Sequence, residues 1–379
     1  MRFALDGVPL SQTPTGVGHY TFELARALAA LAPADEFELV SPYPPVPLES
    51  GIPANLHFVQ PSANGLTRRA WWSLGLPLYC SRTELALFHG TNFDLPAWAR
   101  CPTVLTIHDL SLLLYPETHE KRLVRRARVK LPLMARKATA IITPSKAVKA
   151  EVSQHLGIDS DKVFAIPEAA RAAFYPAARS ESDPVRQRLG VADEFILFVG
   201  TVEPRKNLLS LARAFAELLR GTSLRPQLVI AGKEGWLSDE LMTYLRESQI
   251  TDRVLFTGHL SDDDLRALYS ACCVFVYPSL YEGFGLPLLE AMACGAPVVT
   301  SNIPSISETV GDVARLISPT DIHDLTRAIK SLLEDTNERA HRSAAGIEHA
   351  RKFSWAQTAA ATLEVYNRAA LMPQKYLAY

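Results

Sequence analysis

Along the chain, short apolar, β-branched runs alternate with longer stretches whose apolar residues recur at helical spacing. Runs at 2–8, 37–41, 85–90, 103–109 and 139–145 predict five strands, and the spacing over 22–31 predicts a helix that follows a glycine-containing loop. Strand and helix in alternation imply parallel strands joined by crossover helices, an α/β sheet with both faces covered. Residues 171–194 mix Pro, Ser, Asp and Arg without a sustained apolar face, the composition of an interdomain connection. The pattern then restarts, with strands expected at 195–201, 227–233, 253–258, 273–279 and 296–301. The stretch 353–372 predicts one or two terminal helices, and periodicity does not say which half of the chain they join.

Length agrees with this doubled pattern, because 379 residues exceed the roughly 250–300 at which single cores stop growing. Apolar residues make up 48% and charged residues 21%, which fits a compact enzyme and not a disordered or solenoid chain. The formal charge of −1 gives no basic excess for binding nucleic acid. Cys80, Cys101, Cys272, Cys273 and Cys294 are odd in number, lack metal-site spacing and are expected to be reduced, buried thiols. The N-terminus lacks the organisation of a signal peptide, and no run approaches the ~20 apolar residues of a spanning helix, so a cytoplasmic location is expected.

The most informative segment is SLYEGFGLPLLEAMACGAPVVTS, residues 279–301, where strand, glycine loop, helix and strand follow one another. In open α/β sheets ligands bind beyond the carboxyl ends of strands, and a helix N-terminus offers N–H donors and partial positive charge to an anion. Phe284, Gly285 and Leu286 would supply those donors; Gly283 and Gly285 let a phosphate approach the backbone, and Pro287 suits the first helical turn. Glu282 and Glu290 bracket this element. Taken singly, either glutamate reads as solvated, but beside an anion-binding helix they are better employed accepting hydrogen bonds from the hydroxyls of a sugar and a ribose. The complementary charge is expected from Arg205 and Lys206 in EPRKN, directly after the strand 195–201, where a bidentate guanidinium and an ammonium could stabilise a departing nucleoside diphosphate.

In the first half, PTGVGHY at 14–20 joins the first strand to a helix and could bring Gly16 or Gly18 against a phosphate or the acceptor, with His19 and Tyr20 on the acceptor side. The full GxGxxG pattern of a dinucleotide site is missing. His108 and Asp109 close the apolar strand at 103–109, which places His108 as a candidate catalytic group and Asp109 as its orienter or an acceptor contact. SDDDL at 261–265 is read as a capped helix start and not as a metal cluster.

TGVGHY, IHD, FVGTVEPRKN, AGKEGW, FTGHLSDDDL and the 279–301 segment together resemble the family 4 retaining glycosyltransferases, over most of the chain. The resemblance implies a GT-B fold, two Rossmann-like domains facing a cleft: 1–175 for the acceptor, with a C-terminal helix 357–379 returning to it, and 190–356 for the nucleotide sugar. It implies that Glu282 contacts the donor sugar, Glu290 the ribose, Arg205 and Lys206 the diphosphate, the 284–286 backbone the phosphates and sugar, and Gly258 and His259 the base. No metal or other cofactor is implied. Thr201 stands after Gly200 where many relatives carry arginine, and Pro167, Glu168 and Ala169 replace their PNG element. Three of the motifs look most like bacterial surface-polysaccharide mannosyltransferases, which implies GDP-mannose as donor and a polyprenyl-linked or saccharide acceptor. The alternatives are a UDP-sugar such as UDP-glucose, a same-fold epimerase or phosphorylase, and a non-catalytic nucleotide-sugar sensor.

Residues 120–140 carry eight Lys or Arg and one acid, interleaved with Leu123, Val124, Val129, Leu131, Leu133 and Met134. The composition suits either a peripheral contact with an anionic membrane, at the inner face of the plasma membrane, or a solvated helix packed by its apolar side. Pro132 argues against a simple helix, and Trp71 and Trp72 beside Arg68 and Arg69 lean toward an interface.

Overall fold

The computed structural model describes the chain except residues 13–15, 47–50, 63–64, 234, 236–238 and 372–379. Pro14 and Thr15 of the first glycine loop, Glu234 and Trp236 of AGKEGW and residues 372–379 of the expected C-terminal helix lie outside the described residues. Two compact units form: one from Met1–Leu114, Glu120–Glu168 and the chain from Ser354 onward, the other from Tyr115–His119 and Ala169–Phe353.

The first unit holds a parallel sheet of β1 (Arg2–Asp6), β2 (Glu36–Val40), β3 (Leu56–Val59), β4 (Leu87–Gly90), β5 (Thr103–Thr106), β6 (Ala140–Thr143) and β7 (Val163–Ala165), ordered β3-β2-β1-β4-β5-β6-β7. The second holds β8 (Phe195–Val199), β9 (Gln227–Ala231), β10 (Val254–Gly258), β11 (Val274–Tyr277), β12 (Val298–Ser301) and β13 (Arg315–Ile317), ordered β10-β9-β8-β11-β12-β13 and also parallel. Chain direction across each sheet reverses once, between β1 and β4 and between β8 and β11, and such switch points open a crevice at the strands' carboxyl ends. The inner strands β4, β5, β6, β8, β11 and β12 are buried at every position, as expected where helices cover both faces.

Several local expectations change. The first helix runs Gly16–Leu31, so Gly16 and Gly18 form its first turn and not a loop before it. β5 ends at Thr106, which leaves His108 and Asp109 in the turn beyond the strand. The stretch read as an interdomain connection contains the helix Arg179–Leu189 and belongs to the second unit. Glu181 accepts from the Ala178 N–H at 2.9 Å and pairs with Arg266 at 2.8 Å, and Gly190 ends the helix in the left-handed region. Polar capping and ion pairs hold this helix where no apolar stripe announces it.

The basic segment is one helix, Lys121–Lys137, despite Pro132 inside it. A proline there costs roughly 3 kcal/mol, which burial of Val124, Leu131, Met134 and Ala135 on one face offsets. Trp71 is 5% exposed and packs in the core, so it does not face an interface. The terminal helix Trp355–Leu371 packs in the first unit: Tyr366 hydrogen-bonds His89 Nδ1 at 2.7 Å, and Thr358 Oγ donates to the Pro167 carbonyl at 2.7 Å. All five cysteines are free thiols, four of them buried.

Candidate functional site

In the second unit the loops after β8 and β11 leave adjacent strands of the sheet, and between them they hold a buried charge cluster. After β8, a short 3-10 turn at Pro204–Lys206 ends on Asn207, which adopts φ 58°, a left-handed conformation that asparagine tolerates. The Asn207 amide donates to the carbonyls of Pro278 at 3.0 Å and Pro319 at 2.7 Å, tying this turn to the loop after β11. Lys206 is thereby held inward: its ammonium lies 2.6 Å from Glu282 Oε1 and donates to the Tyr277 hydroxyl at 2.6 Å. Arg205 reaches the other carboxylate oxygen at 3.0 Å, pairs with Glu203 at 2.7 Å and donates to the Tyr281 carbonyl at 2.9 Å.

Burial opposes ionisation of Glu282, but the charges of Arg205 and Lys206 outweigh it and draw its pKa from 4.5 down to about 2. Burial likewise pulls the Lys206 pKa down, against the carboxylate that pushes it up. One carboxylate therefore holds two cations side by side, four residues before the helix Leu286–Ala293. Gly285 caps that helix at φ 97°, where any other residue is strained, and a Cβ there would also push Leu288 Cδ1 aside from 2.7 Å. Phe284 is buried with its carbonyl accepting from Thr309 at 2.8 Å, and Ser305 Oγ donates to the Glu282 carbonyl, which fixes the turn containing Gly283.

Glu290 sits on the same helix, and the structure supplies a partner the sequence reading missed: Arg171, whose Nε donates to Oε1 at 2.9 Å while Nη1 binds Asp262 at 2.6 Å. Burial raises the Glu290 pKa, and Arg171 offsets part of that rise. Arg171 lies in the stretch read as a connection, 119 positions from Glu290, and no local spacing signals the pairing. Gly258, at φ 71°, and His259 are exposed at the end of β10, the far edge of the sheet. Ser261 Oγ accepts from the Asp264 N–H at 3.2 Å, so SDDDL starts the helix Asp262–Ala271. Among the described residues no group of three or more His, Cys, Asp or Glu could hold a metal ion.

In the first unit, Tyr20 is buried, with its hydroxyl 2.9 Å from Thr106 Oγ1 and its ring edge-on to His108 at 4.7 Å between centroids. His19 is half-buried, Gly16 is exposed and Gly18 is buried within the helix Gly16–Leu31. His108 places Nε2 at 2.9 Å from the Thr91 carbonyl and Nδ1 at 3.2 Å from Glu168. Asp109 accepts from the Ser111 N–H at 2.8 Å, at the start of a short helical turn.

The family model "Glycosyltransferase Family 4" matches residues 14–170, and "Glycosyl transferases group 1" matches 180–349. O-antigen chain mannosyltransferase B of Escherichia coli is 32% identical over 386 residues, covering 97% of this chain and all of that protein. Serotype-specific mannosyltransferase WbdA of E. coli is 38% identical over 238 residues, 61% of this chain and 29% of that protein. Among solved structures, sucrose-phosphate synthase from Thermosynechococcus elongatus superimposes with a TM-score of 0.78 at 23% identity, covering 97% of this chain and 98% of that one. Anabaena HepE in complex with UDP and glucose gives 0.71 at 22% identity, over 97% and 99%. The structural likenesses establish the GT-B fold, and with the full-length sequence match they show that this chain belongs to the family 4, group 1 glycosyltransferases.

Proposed function

We propose that the protein moves mannose from GDP-mannose to a lipid-linked or saccharide acceptor in the assembly of a surface polysaccharide or glycolipid, with retention of anomeric configuration. The choice of mannose is supported by the E. coli O-antigen mannosyltransferase, matched along its whole length. The observation that carries the chemistry is the Lys206–Glu282–Arg205 cluster beside a helix N-terminus. An entering diphosphate exchanges its own oxygens for the carboxylate on the two cations, and Glu282 is then released to accept from sugar hydroxyls. The backbone from Gly283 to Leu286 receives the phosphates and sugar, Glu290 the ribose, and Gly258 and His259 the base. Gly16 and Gly18 meet the donor, His108 is a catalytic group, and His19, Tyr20 and Asp109 serve the acceptor.

In this scheme the anomeric carbon–oxygen bond to the diphosphate breaks as the acceptor oxygen bonds to the same face. The acceptor's proton passes to the departing diphosphate, whose growing charge Lys206 and Arg205 stabilise. A thermal-shift panel of nucleotide sugars tests the donor, because a ligand of the folded state raises the unfolding temperature. GDP-mannose is expected to give the largest shift and a product with an α-linked mannose; a larger shift and transfer with a UDP-sugar overturns the donor assignment.

We also assign the Lys121–Lys137 helix to peripheral contact with an anionic membrane surface at the plasma membrane's inner face. Its outer side exposes Val129, Leu133 and Leu123 among arginines. Among the described residues no helix is long and apolar enough to cross a membrane.

A further inference from the structure

Both ring nitrogens of His108 are committed to oxygen atoms of the protein. Nε2 faces the Thr91 carbonyl at 2.9 Å, an acceptor with no proton to give, so Nε2 must carry a hydrogen. Nδ1 faces Glu168 Oε1 at 3.2 Å, and Glu168 is buried with its side chain 5% exposed. A carboxylate oxygen facing Nδ1 calls for a hydrogen there too, which is the arrangement of an imidazolium. Tyr20 packs edge-on against the ring and Phe93 lies 6.4 Å from it, so the imidazole has little room to turn.

We propose that Glu168 is a positioning residue for glycosyl transfer: with the Thr91 carbonyl it clamps His108 through both N–H groups, so that His108 serves as a fixed cation and not as a proton acceptor. The inference rests on the reading that His108 is a catalytic group of the site. Burial lowers the His108 pKa, and the hydrogen bond and charge of Glu168, the Thr91 carbonyl and the Asp109 charge together reverse this and leave it raised. The groups facing the ring are Glu168 after β7, Asp109 on its own turn, Tyr20 on the helix Gly16–Leu31 and His89 on β4. His89 is held neutral, with a pKa of about 3 caused first by burial and then by the His108 charge.

The test is a titration of the full-length protein labelled with 15N at histidine, the His108 signals being identified by their loss in His108→Gln. Both ring nitrogens of His108 are expected at imidazolium positions at neutral pH. In Glu168→Gln, which keeps the shape and removes the charge, the ring is expected to be neutral at that pH, protonated on Nε2. The alkaline limb of kcat/KM should then move down by about 1 pH unit or more, and Glu168→Asp should recover part of that move. A neutral His108 ring in the wild type, or a Gln variant that titrates as the wild type does, overturns the clamp. Should the Gln variant not fold, the wild-type titration decides by itself. His108→Gln with wild-type kcat and KM would overturn the site reading instead, and since the titration needs no substrate the two failures are separable.

Discussion

An ammonium group at residue 206 could not be buried alone, and the Glu282 carboxylate with the Tyr277 hydroxyl compensates it at 2.6 Å each. In the proposed function the same contacts hold Lys206 ready for a departing diphosphate. Lys206→Ala is therefore expected to lower kcat on the order of 10²–10³-fold at saturating donor, and steady-state kinetics showing near-normal turnover would remove its assigned role. Arg205 still pairs with Glu282 in that variant, so a folded protein is expected. The pH dependence of stability follows from the depressed pKa of Glu282, about 2 against an ordinary 4.5. A depressed carboxylate stabilises the fold in full above its unfolded value and loses that contribution as pH falls toward its folded one. Denaturant unfolding of wild type and Glu282→Gln should differ most above pH 4.5, and the difference should shrink as pH falls toward about 2. Arg171 also favours the charged form of Glu290, but there burial prevails and the pKa stays raised. Arg171→Ala should raise the donor Kd by roughly tenfold or more while leaving kcat nearer wild type, which calorimetry together with kinetics can separate. Lys206, Arg205 and Glu282 were legible because each adjoins a glycine loop or a strand end, and Glu290 because it lies on the helix that loop opens. Arg171 was not, because its partner is distant in sequence and its own surroundings are polar.

At the scale of elements, the ten strands marked by apolar runs all form, and among the described residues three others carry no such mark: β3, β7 and β13. Each lies at the edge of its sheet, with some positions partly or fully exposed, so the continuous burial that writes an apolar run into a sequence is missing there. The helix Arg179–Leu189 escaped notice for a related reason, since only Ser182 in it is buried. The helix Lys121–Lys137 shows the converse, an interior proline tolerated because four buried side chains anchor one face. The loop before Leu286–Ala293 was readable because glycine has few alternative uses at a helix start. Gly285→Ala forces a side chain into the left-handed region at φ 97° and against Leu288. The expected loss is about 1–3 kcal/mol of stability, accompanied by weaker donor binding, and the thermal midpoint with and without nucleotide sugar measures both. An unchanged midpoint would mean the cap relaxes and does not hold the loop.

For the molecule as a whole the charges nearly cancel, at −1, yet eight basic residues and one acid are gathered within 120–140. Folding sorts this segment: Val124, Leu131, Met134 and Ala135 turn inward, while Arg122, Arg125, Arg126, Arg128 and Arg136 are exposed together with Val129 at 73% and Leu133 at 57%. Lys130 is drawn into an ion pair with Asp94, and Lys137 donates to the Pro96 carbonyl, so the arginines carry most of the outward charge. A face that combines exposed aliphatic side chains with guanidinium groups suits a bilayer surface better than bulk water, each basic group contributing about 1 kcal/mol near anionic lipid. Full-length protein is therefore expected to cosediment with vesicles containing anionic lipid at low salt, to be released as salt screens the attraction, and to ignore vesicles of neutral lipid. Replacing Val129 and Leu133 together by aspartate should abolish the cosedimentation without lowering the unfolding temperature, because neither side chain contributes to the core. Transfer to a water-soluble saccharide acceptor should survive in that variant, while transfer to an acceptor embedded in vesicles should fall. Absence of binding to anionic vesicles at low salt removes the membrane assignment and leaves the exposed aliphatic residues as ordinary surface.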